Sequence, residues 1–372
     1  VELQSLLLCS DDTVVRVLRR VLTDLEIGVE HCTDLDSAIQ KLTRQRFEAV
    51  IVDCTSHEVA AKILKGTHSS PANKRAIAVA IIDGQSALKS AFELGAHFVL
   101  FKPISLERTK ASFRSVRALM KRERRRHARI PVELTVELRQ KGSDRKLKVV
   151  TADLSENGMA IRHKGQLEPS FGLRFELPGN SAQIACQGEV AWEGNQLLGI
   201  RFQDLSDDAA AKLKSWIARQ LLGDTDDPPV GCRLTDLSLN ACYLQTESPF
   251  PVRTRLQIMM RVRDFELQAD GMVRVMHPAH GMGVQFIRQS EQSKAKLEEF
   301  IHTLVNTEGA VPEVEVRPDS IDNAPHTFST ERTSSDHGDP LLSLFHTGAE
   351  LPPDEFHAEL RRQRSAPEEV QL

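Results

Sequence analysis

The chain has 372 residues, 40% hydrophobic and 27% charged, with a formal net charge of -4. That is an ordinary globular composition, with room for two or three separately cored domains. The small negative charge excludes a general pull toward nucleic acid or anionic membrane, so any anion site must be local. Leu6-Leu7-Leu8-Cys9 is a short apolar run that ends in Ser10-Asp11-Asp12. A helical pattern follows, with Val14, Val17, Leu18, Val21, Leu22 and Leu25 on one face. Gly28 to Cys32 is a second strand, Ser37 to Gln45 a helix, and Ala49 to Val52 a third strand ending at Asp53. Ala76 to Ile82 and His97 to Phe101 are two more strands. Short, wholly apolar strands alternating with helices imply an α/β domain with a parallel sheet covered on both faces.

From Phe113 a helical stretch runs into Lys121-Arg122-Glu123-Arg124-Arg125-Arg126-His127-Ala128-Arg129, and Ile130-Pro131 breaks it. Beyond Pro131 the rhythm is period two. Val132 to Leu138, Lys146 to Val150, Met159 to Arg162, Leu173 to Leu177, Gly188 to Trp192 and Leu198 to Phe202 make a small barrel or sandwich. A helix from Asp208 to Leu222 closes it.

A second copy follows. Asp153-Leu154-Ser155 recurs 83 residues on as Asp236-Leu237-Ser238, and Gly188-x-Val190 recurs at the same offset as Gly271-x-Val273. Gly199-Ile200-Arg201-Phe202 recurs 84 residues on as Gly283-Val284-Gln285-Phe286. Ala211 to Ile217 recurs at that offset as Ala295 to Ile301. One insertion in a whole domain length marks a duplication. After Asn306 the periodicity fades into Pro, Ser, Thr, Asp and Glu, which reads as a disordered tail. Leu341 to Phe345 is a candidate docking segment within it. The expected domains are 1–115, 116–223, 224–306 and the tail 307–372.

Val1-Glu2-Leu3-Gln4 lacks the layout of a signal peptide, and no apolar run is long enough to span a bilayer. The six cysteines, Cys9, Cys32, Cys54, Cys186, Cys232 and Cys242, form no C-x-x-C pair and lie mostly in apolar segments. They read as reduced, buried thiols of a cytoplasmic protein without a zinc site or membrane insertion. His277-Pro278-Ala279-His280 has no further ligands at metal spacing and reads as a loop.

Arg124, Arg125 and Arg129 fit the pattern R-R-x-x-x-R, and Asp153, Ser155 and Gly158 fit D-x-S-x-x-G. Guanidinium forks match phosphate oxygens bidentately, and also the O6/N7 edge of guanine. Carboxylate and hydroxyl groups accept from guanine N–H donors, and Gly158 permits close backbone approach or a positive φ. On chemistry alone this is a site for an anionic guanine nucleotide. The plainer readings are a solvated, basic helix end and an ordinary Asp-x-Ser turn. Nucleic-acid binding is a third, but there is no helix-turn-helix pattern and the chain is only 5% aromatic.

These residues resemble the PilZ family of cyclic di-GMP receptors, over roughly Arg122 to Leu222, with Trp192 and the Gly199-Ile200-Arg201-Phe202 strand also in place. The resemblance implies a six-stranded barrel, with the arginines on a segment ahead of it that wraps the ligand. The binders would be Arg124, Arg125, Arg129, Asp153, Ser155 and Gly158. The second copy keeps Asp236 and Ser238 but has Ala241 where the first has Gly158. In place of arginines it is preceded by Gly223-Asp224-Thr225-Asp226-Asp227-Pro228-Pro229, which repels a dianion, and Arg233 reads as an ordinary strand residue. It is therefore expected not to bind cyclic di-GMP, and to pack, dimerise or meet a partner instead.

From Glu2 to Phe113 the chain resembles the receiver domain of response regulators, a flavodoxin-like fold. In that family an acidic pair holds Mg²⁺, an aspartate accepts phosphate, and a Thr or Ser and a Lys answer the added charge. Here Asp53 stands as acceptor and Lys102 as the lysine, while the acidic pair reads as Ser10-Asp11, one carboxylate short unless Asp12 substitutes. Ile82 occupies the hydroxyl position, and Cys54-Thr55-Ser56-His57 follows the acceptor. A reduced acidic pocket at Asp11 and Asp53 binds Mg²⁺ weakly. A pseudo-receiver used for dimerisation or docking and a working phosphoacceptor both fit.

The fold expected is thus a receiver-like α/β domain, two PilZ-like barrels each with a C-terminal helix, and a tail. No Ser-His-Asp set, metal triad, P-loop or dinucleotide fingerprint appears, so no enzyme and no cofactor is expected. The reading is a signalling adaptor that binds cyclic di-GMP and meets an unnamed protein partner or a second copy. The competing reading is a non-binding scaffold that keeps only the shape of these domains.

Overall fold

The computed structural model describes residues 3–140, 146–163, 167, 169–179, 182–194, 196–221, 228–287, 289–307, 309, 311–322, 339–348, 351 and 353–365. The chain forms two compact units, one of residues 1–122 with 227–372 and one of residues 123–226.

The first unit opens with β1 (Leu3–Leu8), α1 (Asp12–Asp24), β2 (Ile27–Cys32), α2 (Leu35–Arg44), β3 (Ala49–Asp53), α3 (His57–Ser69), β4 (Ile77–Ile82), α4 (Leu88–Glu93) and β5 (Phe98–Phe101). The five strands are parallel in the order β2-β1-β3-β4-β5. This is a doubly wound sheet, whose functional residues gather at the carboxyl ends of the strands. β3, β4 and β5 are apolar almost throughout because both faces of the sheet are covered, whereas the edge strand β2 carries Glu30 and His31. Leu7, Ile51 and Val79 feed one core, and Leu6, Leu8, Val50 and Val52 the other. Then α5 (Leu106–Arg126) runs through the arginine cluster. The boundary drawn at 115–116 falls inside this helix. Phe113, Val116, Leu119 and Met120 bury its apolar stripe, and Arg124 to Arg126 end it where cations meet the negative pole of the helix.

The second unit holds β6 (Ile130–Pro131), β7 (Thr135–Gln140), β8 (Lys146–Ser155), β9 (Gly158–Arg162), β10 (Ser170–Leu177), β11 (Ala182–Gly194), β12 (Leu197–Gln203) and α6 (Asp207–Gln220). The order β8-β7-β10-β11-β12-β9 is closed by pairing of β8 with β9, and β6 lies against β8. Alternate residues such as Val136, Leu138, Leu173, Phe175 and Ile200 fill the barrel. Leu213, Trp216 and Ile217 of α6 join that core, and the Trp216 indole N–H donates to the Pro178 carbonyl at 3.1 Å.

The chain then returns to the first unit with β13 (Val230–Leu237), β14 (Ala241–Gln245), β15 (Thr254–Val262), β16 (Phe265–His277), β17 (Gly281–Ile287), α7 (Glu291–Asn306) and β18 (Glu313–Ile321). These six strands close in the order β13-β14-β17-β16-β15-β18. In this ring β18 takes the place that β7 has in the first barrel, although it comes from beyond the closing helix. The expectation of a structureless tail after Asn306 is corrected here. Val314 and Val316 point into the barrel and are buried, while Glu313 and Glu315 are exposed. Two further helices, α8 (Pro340–Thr347) and α9 (Pro353–Ser365), follow. The acidic stretch at 223–227 lies outside the described residues.

Within this unit the second barrel and the parallel sheet share a core. Phe250 and Val252 belong to one buried cluster with Phe98, Phe113 and Val116. Ser115 Oγ donates to the Pro249 carbonyl at 2.8 Å, Ser248 Oγ to that of Ala111 at 2.7 Å, and the Val252 amide to that of His97 at 2.9 Å.

A chain ended at Asn306, where sequence alone places the end of the second barrel, lacks β18 and exposes the edges of β13 and β15. We expect it to aggregate or to bind a hydrophobic dye strongly, whereas a chain ended at Asp322 keeps a closed barrel. Equal solubility and equal tryptic resistance of the two would contradict this.

Candidate functional site

The two-residue strand β6 places the arginine motif. Ile130 pairs with Leu154 and Pro131 with Asp153, so Arg129 is delivered to the Asp153 turn. Arg129 Nη1 lies 3.0 Å from Asp153 Oδ1. The same oxygen accepts the Ala160 amide at 3.2 Å. A register shift between Thr151 and Asp153 turns this end of β8. Thr151 Oγ1 accepts the Leu134 amide at 2.8 Å and donates to the Val132 carbonyl, which ties down the link from β6 to β7.

Ser155 Oγ donates to the Gly158 carbonyl at 2.9 Å and closes the turn. Gly158 acts by close approach and not through a left-handed backbone. A Cβ there would stand 2.1 Å from the Ile200 carbonyl oxygen, so only glycine lets β9 lie this near β12. Arg124 and Arg125 sit in the last turn of α5, with Arg125 buried and Arg124 half-buried. The amides of His127 and Ala128 donate to the carbonyls of Arg124 and Arg125, at 3.2 and 3.0 Å. Thus Arg129, Asp153, Ser155 and Gly158 are gathered at one turn, while the arginine pair belongs to the helix end.

Two further residues line this turn. Asp153, Ala160, Gly199 and Trp192 form one row across β8, β9, β12 and β11. Their neighbours Leu154, Met159, Leu198 and Ile200 face the barrel core, so the row faces outward. A Cβ at Gly199 would come within 2.0 Å of Trp192 Nε1, so the indole lies directly on the glycine. Trp192 remains 42% exposed, the one large aromatic side chain so placed among the described residues. At about 4.8 Å per strand, the row spans roughly 14 Å, with an acid–arginine pair at one end and an aromatic plane at the other. Arg201 pairs with Gly158 in register and is exposed. Sequence reasoning passed over it, although the exchange of Arg201 for Gln285 between the repeats was a visible signal.

The carboxyl end of the parallel sheet is occupied by its own side chains. Lys102 Nζ lies 3.0 Å from each Asp53 oxygen, 3.1 Å from Thr55 Oγ1 and 3.4 Å from Asp83 Oδ1. Thr55 donates to Asp53 Oδ1 through its amide at 3.1 Å and its hydroxyl at 2.7 Å. The Cys9 thiol approaches Asp53 Oδ2 at 3.4 Å. Burial would raise the Asp53 pKa, but the bonds from Thr55 and Lys102 outweigh it and hold the carboxyl below its ordinary value. Burial, and after it the neighbouring Asp53, pushes the Cys9 thiol up to about 11 against a backbone hydrogen bond at Asp11 that lowers it. Asp11 is committed to capping α1, accepting the Thr13 and Val14 amides at 2.8 and 3.2 Å, and Asp12 lies exposed in the first turn. Ile82, at the hydroxyl position, is buried. No group of three or more His, Cys, Asp or Glu among the described residues is arranged to hold a metal ion.

Replacing Asp53 by Asn should lower the unfolding free energy at pH 7 by roughly 2–3 kcal/mol, because it leaves a largely buried ammonium short of its carboxylate. The native carboxyl is held below 3.8, so its contribution is complete above pH 3.8 and is lost as the pH falls through the native value. Urea unfolding of both proteins at pH 7 and in acid checks this. Equal stability at pH 7 would mean that the pair contributes nothing.

The PilZ domain family model matches residues 123–219 and 221–303, one segment for each barrel. Among solved structures, the chemotaxis response regulator CheY4 of Vibrio cholerae overlaps 31% of this chain and 99% of its own, at 18% identity and a TM-score of 0.29. A CheY-like receiver domain from Methylobacillus flagellatus overlaps the same shares at 19% identity and 0.28. The PilZ domain of CeSA from a cellulose-synthesizing bacterium overlaps 26% of this chain and 96% of its own, at 19% identity and 0.20. No curated protein matches the sequence. Both barrels thus match the PilZ domain model, one after the other behind a five-stranded parallel sheet.

Proposed function

We propose that this protein is a cyclic di-GMP-binding signalling effector, non-enzymatic, whose first barrel takes the nucleotide between Arg124, Arg125 and Arg129 and the turn from Asp153 to Gly158. The observation that carries the reading is the Arg129–Asp153 pair, set in place by β6 at 3.0 Å. Both partners reach solvent, with side-chain exposures of 50% and 25%. A surface pair of this kind contributes about 0–1 kcal/mol, so it is displaced at little cost. A phosphate offers Arg129 a bidentate, charge-assisted partner in place of the single Asp153 oxygen. Asp153 is then released to accept from guanine N–H groups, while the Trp192 plane offers a stacking surface at the far end of the row. Arg124 and Arg125 join once the last turn of α5 opens, since Arg125 is buried in it.

The receiver-like domain is read as a docking platform and not as a phosphoacceptor. Asp53 already holds a cation and a hydroxyl where a phosphoryl group would need both. The second barrel is read as not binding the nucleotide: the bulky Tyr243 stands where the small Ala160 stands in the first, with Phe345 and Phe356 packed beside it.

Titration calorimetry of the full chain with cyclic di-GMP tests the site. Arg129→Ala should weaken binding by roughly ten- to over a hundred-fold, the equivalent of about 1.5–3 kcal/mol for one arginine–phosphate contact. Unchanged affinity would remove Arg129 from the site, and no binding by the wild type would leave the scaffold reading. The chain has two tryptophans, and Trp216 is buried, so a change in emission on binding reports on Trp192. We expect that change to be absent in Trp192→Phe. Tight binding without any change in the wild type would place the ligand off this face.

A further inference from the structure

The outward-facing row of the first barrel has a counterpart in the second, and there two helices of the same chain cover it. Its counterparts are Asp236, Tyr243, Gly283 and Val275, on β13, β14, β17 and β16. Tyr243 and Val275 are each 1% exposed, because α8 and α9 lie over them. Leu341, Leu342, Leu344 and Phe345 of α8, with Phe356 and Leu360 of α9, form a buried cluster with this outer face. A Cβ on Gly283 would meet the Phe345 ring at 2.7 Å. The helices also hold each other: Gln363 Nε2 donates to the Pro340 carbonyl at 3.3 Å, and Gly348 admits Phe356.

The anchor is a carboxylate. Asp339 Oδ1 caps α8 by accepting the amides of Leu341 and Leu342 at 3.0 and 3.2 Å. Its Oδ2 accepts from Ser238 Oγ at 2.6 Å and from Asn240 Nδ2 at 3.1 Å. Ser238 is the counterpart of Ser155, and Asn240 that of Asn157, in the D-x-S-x-x-G turn. Asp339 itself is 7% exposed. An anion thus sits on the second barrel's turn, supplied by the chain, with an apolar helix face behind it.

We infer that the second PilZ domain is a peptide receptor, whose turn at Ser238 and Asn240 and outer face at Tyr243 and Gly283 recognise the chain's own segment 339–365 through a helix-capping carboxylate. Nucleotide binding by the first barrel has no part in this inference. Recognition needs three things together: an acidic helix cap, the apolar positions 341, 342 and 345 behind it, and a second helix bringing Phe356 onto Tyr243. The ring centroids of Tyr243 and Phe356 are 5.5 Å apart.

The contact is also sensitive to acid. Sequence reads His277 to His280 as a loop, but His277 ends β16, is 2% exposed, and its ring centroid lies 4.4 Å from that of Phe356. Its Nδ1 meets the Tyr243 hydroxyl at 3.2 Å. Burial, then His357 and His280, pushes its pKa down to about 3. Burial, then His280 and Arg361, also lowers His357, against Asp236 and Asp354. The docked state therefore binds fewer protons than the released state. Attachment is complete above pH 6.5, the ordinary value, and weakens as the pH falls below it.

A protease site placed between residues 323 and 338 of the full chain lets the segment be cut loose without being removed. The fragment beginning near Asp339 should stay with the nicked protein through gel filtration at low micromolar concentration. Asp339→Ala and Ser238→Ala should each raise its dissociation constant at least about tenfold. Lowering the pH from 7.5 to 5.5 should do the same, by about tenfold for His277 alone. A fragment that leaves the nicked wild type at once overturns the inference. So does one whose retention is indifferent to both substitutions. Amide exchange on the uncut chain gives an independent reading. Asp339→Ala should raise exchange at 341–345 and 356–360 while β14 and β16 stay protected, and unchanged exchange in both helices also overturns it.

Discussion

A ring of hydrogen-bonded strands holds only while every strand has two neighbours, and the second barrel meets that condition through β18. The edges it covers run from Val230 to Arg233 on one side and from Thr254 to Arg261 on the other. Without it, two rows of peptide groups would face water and any passing strand. The barrel thus depends on a strand that arrives after its own closing helix. Further along the chain, α8 and α9 cover the outer face of the same barrel. The strand also reaches α5, since the buried Arg122 lies 3.4 Å from Asp319 of β18.

The two barrels treat one scaffold in opposite ways. Gly188 and Gly271 both admit side chains from neighbouring strands that a Cβ would strike, and both rows keep an aspartate at one end and a glycine within. Between those fixed points the side chains have been exchanged. In the first barrel Ala160 is small and buried, and the exposed indole of Trp192 is laid on Gly199. Tyr243 and Val275 give the second a raised, apolar outer surface that needs covering, and Phe345 covers its glycine. The arginine of β12 becomes a glutamine in β17, whose Oε1 accepts from Arg274 Nε of β16 at 2.6 Å.

Much of this was legible in the residues. Wholly apolar strands gave the parallel sheet, and the 83-residue repeat gave both barrels. Turns were read well because Asp, Ser and Gly act locally. The failures have a common cause, which is dependence on distant partners. Val314 and Val316 do alternate with Glu313 and Glu315, but so short a run among prolines and acids looks like tail until a barrel with a missing strand is known. Leu341 to Phe345 is too short to declare its face without Tyr243 beneath it. Arg125 lies on a helix whose burial no local pattern reveals, and His277 looks like a loop residue until α9 is placed over it. At the carboxyl end of the parallel sheet, the commitment of Asp11 to a helix cap and of Lys102 to Asp53 is a matter of geometry that no local pattern reveals.

The discontinuity of the first unit sets an order of events during synthesis. The first barrel is contiguous, from 123 to 226, and has all its strands once β12 has left the ribosome. The parallel sheet is made earlier but waits longer. Phe113 and Val116 on α5 share a core with Phe250 and Val252, and that barrel is incomplete until β18 has been translated. At about 5–20 residues per second, the roughly 200 residues between α5 and β18 leave this apolar stripe without its partner for about 10–40 seconds. The domain in the middle thus matures before the halves that flank it, and the nascent chain's need for protection falls on its earliest segment.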